Sequence, residues 1–142
     1  MNKNKETLKS MNSLLQGEYM ALETFNVFIS KVNDDSTKKT LREVQGHHRE
    51  NIKVLANYIQ DLGGQPDENL GFKGTMADMK LNMDLKGKND HYIIEKVIEG
   101  ETNGINMAEK VLRGNLDDKS RDFAGEILHS DRKYLDKLKT LM

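Results

Sequence analysis

The sequence predicts an all-α fold: a four-helix bundle made of two helix hairpins joined by a long crossover. Four segments carry apolar residues at alternating spacings of three and four, the pattern of helices that pack lengthwise against one another. Charged residues make up 32% of the chain, hydrophobic residues 36%, and proline occurs once, which is typical of helices with narrow apolar stripes. The length of 142 residues fits a single domain covering residues 1–142.

The composition also excludes several classes of protein. The formal net charge is -1, so the chain lacks the basic surface by which proteins bind nucleic acid. No apolar run approaches the length of a membrane span, and the first residues lead into an amphipathic helix rather than a signal-type apolar run. We therefore expect a cytoplasmic protein that binds neither nucleic acid nor membrane. Because cysteine is absent, a metal site would need carboxylate, imidazole or amide ligands.

The first predicted helix covers residues 4–32 and carries a glutamate in the middle of its apolar seam. The eight seam positions are Leu8, Met11, Leu15, Glu18, Leu22, Phe25, Ile29 and Val32. A carboxylate at such a position is costly unless it is paired, protonated or bound to a cation. What neutralises Glu18 is therefore the functional question. The polar turn at residues 33–36 ends this helix and caps the next.

The second predicted helix covers residues 37–62 and has His48 in the middle of its seam. The best inward partner of His48 is either Asn51, three residues further on, or Gln45, three residues before, whereas His47 is expected on the flank of the helix. Gly63 and Gly64 end the helix, with proline just beyond. The crossover at residues 65–89 is expected to hold a short helix that covers an edge of the bundle. Its methionines, Met76, Met79 and Met83, are expected to fill gaps in the core.

The third and fourth predicted helices, residues 90–113 and 118–142, repeat this arrangement. Glu101 interrupts the seam of the third helix, and Asp131 interrupts that of the fourth. Each of the four helices therefore places one polar residue on its apolar stripe. Glu101 lies 83 residues after Glu18, and Asp131 lies 83 residues after His48. Because the same offset also relates the two aspartate pairs in the turns, we predict a duplicated helix hairpin, with residues 7–59 superposing on residues 90–142.

Several glycines lie inside the predicted helices, where each costs roughly 0.5–1 kcal/mol relative to alanine. They are Gly17, Gly46, Gly100, Gly104 and Gly125. They indicate either close helix packing or room around a bound ion, and the sequence leaves both interpretations open.

The chain resembles the ferritin-like superfamily, which includes ferritins and rubrerythrins, and especially its small bacterial families of unassigned function. The helix stop at residues 62–66, Leu-Gly-Gly-Gln-Pro, and the Gly100-Glu101 pair carry the resemblance, besides the architecture. In this superfamily a di-iron or di-manganese site takes one glutamate from each of two helices and a Glu-x-x-His pair from each of the other two. Glu18 and Glu101 match the lone glutamates. Neither of the other helices offers an inward Glu-x-x-His pair.

The fourth helix does contain a literal Glu-x-x-His, formed by Glu126 and His129. At about 100° per residue both side chains lie far from the Asp131 seam, while Ile127 and Leu128 face inward. We therefore expect Glu126 and His129 to be exposed and dispensable.

Three functions are consistent with the sequence. In the first, Glu18, His48, Glu101 and Asp131 hold iron, manganese or zinc, with Asn51 as a fifth ligand. The resemblance then implies metal handling or oxidative-stress defence, through reaction with dioxygen or peroxide. In the second, the site has lost its metal, the buried acids are protonated or share protons with His48, and the bundle is a structural or partner-binding module. In the third, the bundle is an adaptor that binds through its methionine-rich crossover. The sequence is compatible with a homo-oligomer and leaves open whether the protein is an enzyme.

Overall fold

The chain folds into helices joined by short loops and one longer crossover, which confirms the predicted all-α architecture. The structure is a computed structural model that describes residues 2–68 and 71–142, except for the side chains of residues 2, 3, 72 and 73. The described helices are α1 (Asn2–Lys31), α2 (Asp35–Asp61), α3 (Gly71–Leu85), α4 (Asp90–Leu112) and α5 (Asp118–Lys139). None of these described helices is long and apolar enough to cross a membrane.

The four long helices form the bundle, and the short helix covers one side of it. The most extensive helix contact is between α1 and α2, and α4 makes its main contact with α5. The two hairpins meet where α1 packs on α4 and where α2 touches α5. Helix α3 lies in the crossover and packs against α1.

Aspartate and asparagine side chains cap the N-termini of three of these helices. Asp34 accepts a hydrogen bond from the backbone N–H of Thr37 at 2.9 Å, and so begins α2. Asp117 accepts one from Ser120 N–H at 2.7 Å and begins α5 in the same way. Such caps satisfy N–H groups that have no partner in the first turn of a helix. The predicted turn at residues 33–36 is thus a helix cap.

The C-terminus of α2 ends in the glycine pair expected from the sequence. Gly63 has a positive φ of 82°, which favours glycine, and Gly64 N–H donates to Ile59 C=O at 2.9 Å. A Cβ atom at Gly64 would lie 2.4 Å from Leu8 Cδ2. Gly64 therefore lets the end of α2 pass close to α1, and it helps to set the position of the first hairpin.

The apolar core is divided along the length of the bundle by a layer of polar residues. On α1, Leu15 belongs to the core at one end and Phe25 to the core at the other, with Glu18 between them. On α2, Val44 and Leu55 are divided in the same way. The buried polar residues on the seams therefore lie at one level of the bundle.

The three methionines of the crossover helix do not fill the core, so this prediction was wrong. Met76, Met79 and Met83 are 55%, 62% and 76% exposed. Helix α3 instead packs through Leu81 and the fully buried Leu85. The physical reason is that α3 has apolar residues on more than one face but covers only one side of the bundle, so one apolar stripe faces solvent.

Candidate metal centre

Each of the four bundle helices contributes a buried polar side chain to one cluster. Glu18 comes from α1, His48 from α2, Glu101 from α4 and Asp131 from α5, and all are less than one-tenth exposed. Asn51 follows His48 by about one turn and is equally buried. The structure thus brings together all five residues that the sequence predicted as ligands. Helical periodicity explains this, since each lies on the apolar stripe that packing turns inward.

The His48 ring lies between two carboxylates. Its Nδ1 is 2.5 Å from Glu18 Oε2, and its Nε2 is 2.6 Å from Glu101 Oε1. Both ring nitrogens carry a proton only in the imidazolium form, which can donate to both acids at once. Burial by itself lowers the pKa of His48, but hydrogen bonds to Glu101 and Glu18 and their charges outweigh it and raise the pKa to about 10. Between the two acids His48 is therefore a cation.

Asn51 links the third carboxylate of the cluster, Asp131, to Glu18. Its Nδ2 donates to Asp131 Oδ1 at 3.0 Å and to Glu18 Oε1 at 3.2 Å. Burial raises the pKa of Glu18, hydrogen bonding and charge of His48 offset part of this rise, and the charges of Asp131 and Glu101 add to it. The carboxylates thus repel one another, and the cluster is held together by cationic and N–H groups.

His47 is the member of this cluster that the sequence did not predict. Its Nε2 lies 2.7 Å from Asp131 Oδ1, and its side chain is only 8% exposed. Its ring stacks on that of Tyr134, with centroids 4.1 Å apart. His47 thus lies on the flank of α2, as expected, but it is partly buried there and contacts Asp131. One signal was available: His47 and Asn51 are four residues apart and lie on the same side of the helix.

The donor atoms of the cluster are close enough to surround a metal ion. One atom each from Glu18, His48 and Asp131 lies within 4.8 Å of the others. Zinc binds nitrogen and oxygen at about 2.0–2.2 Å in a tetrahedral arrangement, so its ligand atoms lie roughly 3.3–3.6 Å from one another. To hold the ion, His48 Nδ1 and Glu18 Oε2, now 2.5 Å apart, would have to separate, and a pair of donors as far apart as 4.8 Å would have to approach, each by on the order of 1 Å. Nitrogen and carboxylate donors suit zinc, iron and manganese, so the residues fit the ions that the resemblance implies.

The other polar residues considered as ligands point elsewhere. Gln45 is buried, but its side-chain amide nitrogen, Nε2, donates to Leu22 C=O at 3.0 Å and to Asn26 Oδ1 at 2.7 Å. Glu126 and His129 are exposed, as predicted from the apolar face of α5. The described helices α2 and α5 therefore hold no inward Glu-x-x-His pair.

A helical bundle of this connectivity has the ferritin-like fold. It superposes on the structure of a two-domain protein from Anabaena variabilis ATCC 29413 that contains DJ-1/ThiJ/PfpI-like and ferritin-like domains. The TM-score is 0.77 at 23% sequence identity, over 95% of this chain and 38% of that chain. This chain therefore spans well under half the length of that protein, and the likeness is one of fold.

The chain belongs to the family described as Domain of unknown function (DUF2383), whose profile matches residues 6–114. The match includes Glu18, His48, Asn51 and Glu101, and Asp131 lies beyond it. A search of curated proteins finds no match.

Proposed function

We propose that residues 1–142 form one ferritin-like domain that binds one divalent transition-metal ion inside the bundle. The observation that carries the proposal is the convergence of Glu18, His48 and Asp131, whose donor atoms come from three helices and lie within 4.8 Å of one another. Iron, manganese and zinc all accept such ligands. Asn51, whose Nδ2 donates to Glu18 and Asp131, would supply its amide oxygen as a further ligand once its amide group turns over.

The geometry gives His48 and Glu101 different roles in this proposal. His48 would bind the ion through Nδ1, which faces Glu18, after losing one of its two protons. Its Nε2–H would keep donating to Glu101 across the present 2.6 Å. A carboxylate that accepts a hydrogen bond from the N–H of a metal-bound imidazole fixes the orientation and tautomer of the ring. Glu101 is thus proposed as the residue that positions His48. His47, whose Nε2 contacts Asp131 Oδ1, would in turn fix the orientation of the Asp131 carboxylate.

A single ion suits this cluster better than a pair. The described faces of α2 and α5 carry no inward Glu-x-x-His, and Gln45 is engaged with α1. Bound iron or manganese would supply one-electron chemistry toward dioxygen or peroxide, consistent with metal handling or oxidative-stress defence. Zinc would supply a structural link between hairpins.

The second candidate is a bundle that works without metal as a structural or partner-binding module. The observation that favours it is the position of His48, which as an imidazolium pairs with both Glu18 and Glu101 and balances one of their two negative charges. Protons shared between the carboxylates and the imidazole can take the place of a metal ion.

Thermal unfolding with and without metal separates the two functions. We expect added iron, manganese or zinc to raise the melting temperature of protein first treated with chelator, because an ion at a hundredfold excess over its dissociation constant stabilises by about 2.7 kcal/mol. Glu18→Leu should abolish this rise. Glu101→Gln should weaken metal affinity about 10–100-fold and retain the site, as expected for a residue that positions a ligand.

The matched control is the exposed Glu-x-x-His on α5. The double variant Glu126→Gln, His129→Ala should keep the metal response of the wild type, because neither side chain reaches the cluster. If the wild type melts at one temperature with chelator and with each of the three metals, the metal-free module is the correct function. A metal response lost in the α5 double variant would place the site on the surface instead.

A further inference from the structure

A cleft of about 360 Å³ lies between α1 and α4 and reaches the polar cluster. Exposed Gly17, Gly100 and Gly104 lie at its mouth, and buried Glu18 and Glu101 lie at its base. Its walls are formed by buried apolar side chains, among them Phe25, Val97 and Ile105. The cleft is thus an apolar route from the protein surface to the two carboxylates that contact His48.

The three glycines at the mouth of the cleft do not bring two helices into close contact. A Cβ atom added at Gly17, Gly100 or Gly104 would meet no atom within 4 Å. Each glycine nevertheless costs roughly 0.5–1 kcal/mol relative to alanine inside a helix. Close helix packing, one of the two interpretations open from the sequence, is therefore wrong at these three positions. Their effect is to leave the space above the cluster open.

We propose that this cleft binds a neutral, apolar small molecule whose end reaches the polar cluster. Among the described residues, those that line the cleft include no lysine or arginine, and they do include the carboxylates Glu18, Glu101 and Asp131. An anionic head group therefore has no fixed cationic partner there except His48. The apolar walls favour hydrocarbon over polar ligands. An apolar cavity of about 150 Å³ holds benzene, so this cleft has room for on the order of ten or more non-hydrogen atoms.

The dimensions also argue against a helix from a second copy of the chain as the occupant. A helix with its side chains is about 10 Å across. The cleft lies between α1 and α4, which are themselves in contact, so only a slender molecule or a single side chain can enter. Binding in the cleft needs no metal. Only the further role of the bound molecule, as a substrate presented to the ion, rests on the proposed function.

Titration with N-phenyl-1-naphthylamine, a neutral dye that fluoresces in apolar sites, tests the proposal on the full chain in the presence of chelator. We expect saturable binding of one dye per chain. Gly104→Leu should weaken it by about tenfold or more, because the leucine side chain occupies the apolar space. The matched control is Gly46→Leu: Gly46 is also an exposed glycine inside a helix with no atom near its Cβ, but it does not line the cleft. It should bind the dye like the wild type.

Both variants should fold, since leucine favours helix more than glycine does and neither Cβ meets a neighbour. Melting curves check this, and Gly100→Leu serves in place of Gly104→Leu if that variant does not melt cooperatively. Competition defines the ligand class: 1-decanol should displace the dye, and decanoate should do so about tenfold less well because its charge faces carboxylates.

Several results would overturn the proposal. They are absence of dye binding, equal binding by Gly104→Leu and wild type, and equal competition by decanoate and 1-decanol. A wild-type dimer that Gly104→Leu converts to monomer in sedimentation would show that the cleft is an interface between copies. Dye binding without any metal response would leave the cleft proposal standing and remove the metal function, and the converse result would do the opposite.

Discussion

The two hairpins, α1–α2 and α4–α5, are built alike at their turns and differ at the polar cluster. Asp34 and Asp117, which cap α2 and α5, are 83 residues apart, and so are Glu18 and Glu101. Both acids are buried and both contact His48. These equivalences agree with a duplicated hairpin. The superposition of residues 7–59 on residues 90–142 stays a prediction.

The difference lies in what the second helix of each hairpin brings inward. Helix α2 supplies a run of polar side chains, whereas α5 supplies one carboxylate among apolar and aromatic neighbours. The pairs at the offset of 83 are Gln45 and Leu128, His47 and Ser130, His48 and Asp131, and Asn51 and Tyr134. Both imidazoles of the cluster thus come from α2. The two hairpins therefore contribute unequal sets of side chains to the cluster.

Replacing one cluster residue in each hairpin should show that α2 and α5 contribute unequally to stability. In the presence of chelator, His48→Leu leaves Glu18 and Glu101 buried without their shared cation, and we expect a loss of about 3–5 kcal/mol in the free energy of unfolding. Asp131→Leu removes a charge, takes the acceptor from His47 and leaves Asn51 with Glu18 as an acceptor, at about 1–3 kcal/mol. Urea unfolding at neutral pH measures both values. Equal losses would mean that α2 and α5 contribute equally to the cluster.

The free energy of unfolding of the metal-free protein should also decrease as the pH rises, because His48 loses its proton. Its pKa is raised to about 10 in the folded chain, against about 6.5 when unfolded. The folded state therefore binds the proton more tightly, so this stabilisation is complete below about pH 6.5 and is lost as pH rises through about 10. We expect a decline of a few kcal/mol between pH 7 and 10.

His48→Leu is the control for that pH dependence, because it retains every other titrating group. Urea unfolding of both proteins across this pH range, with chelator, gives the contribution of His48 by difference. Parallel curves for wild type and variant would contradict the bridging imidazolium. With metal bound, the dependence should reverse, since the ligand nitrogen must be deprotonated and affinity rises with pH.

The smallest effect should come from substituting Asp34 and Asp117, the equivalent N-terminal caps of α2 and α5. Asp34→Ala and Asp117→Ala each remove a side chain that accepts from the third residue of its helix. We expect both to lower the melting temperature by similar amounts, about 2–6 °C, with no change in metal response. Asp34→Asn and Asp117→Asn should retain most of the stability, because asparagine is an equally good cap. A much larger loss in one hairpin would break the structural equivalence of the two turns.

The four long helices and the five predicted ligands followed from local rules. Apolar spacing of three and four forces each helix to bury one stripe, so a polar residue on that stripe is carried inward wherever the helix packs. This reasoning placed Glu18, His48, Glu101 and Asp131 in the core, and it left the literal Glu126 and His129 pair outside. Caps and the glycine stop defined the helix ends within about three residues.

The wrong or missing expectations concern residues whose position depends on a neighbouring element. Met76, Met79 and Met83 formed a plausible buried stripe, but α3 has only one covered side, and its contact with α1 selected Leu81 and Leu85. His47 is on the edge of the α2 stripe, where burial depends on the Tyr134 ring of α5.

By itself the sequence determined the class of fold, the helices and the polar layer, because periodicity and capping act within a few residues of one chain segment. The tertiary structure alone decided which acids His48 bridges, that His47 pairs with Asp131, and that a cleft remains open above Glu18 and Glu101. Those features depend on the distances between side chains of different helices. Such distances come from how the helices pack, which no local spacing specifies.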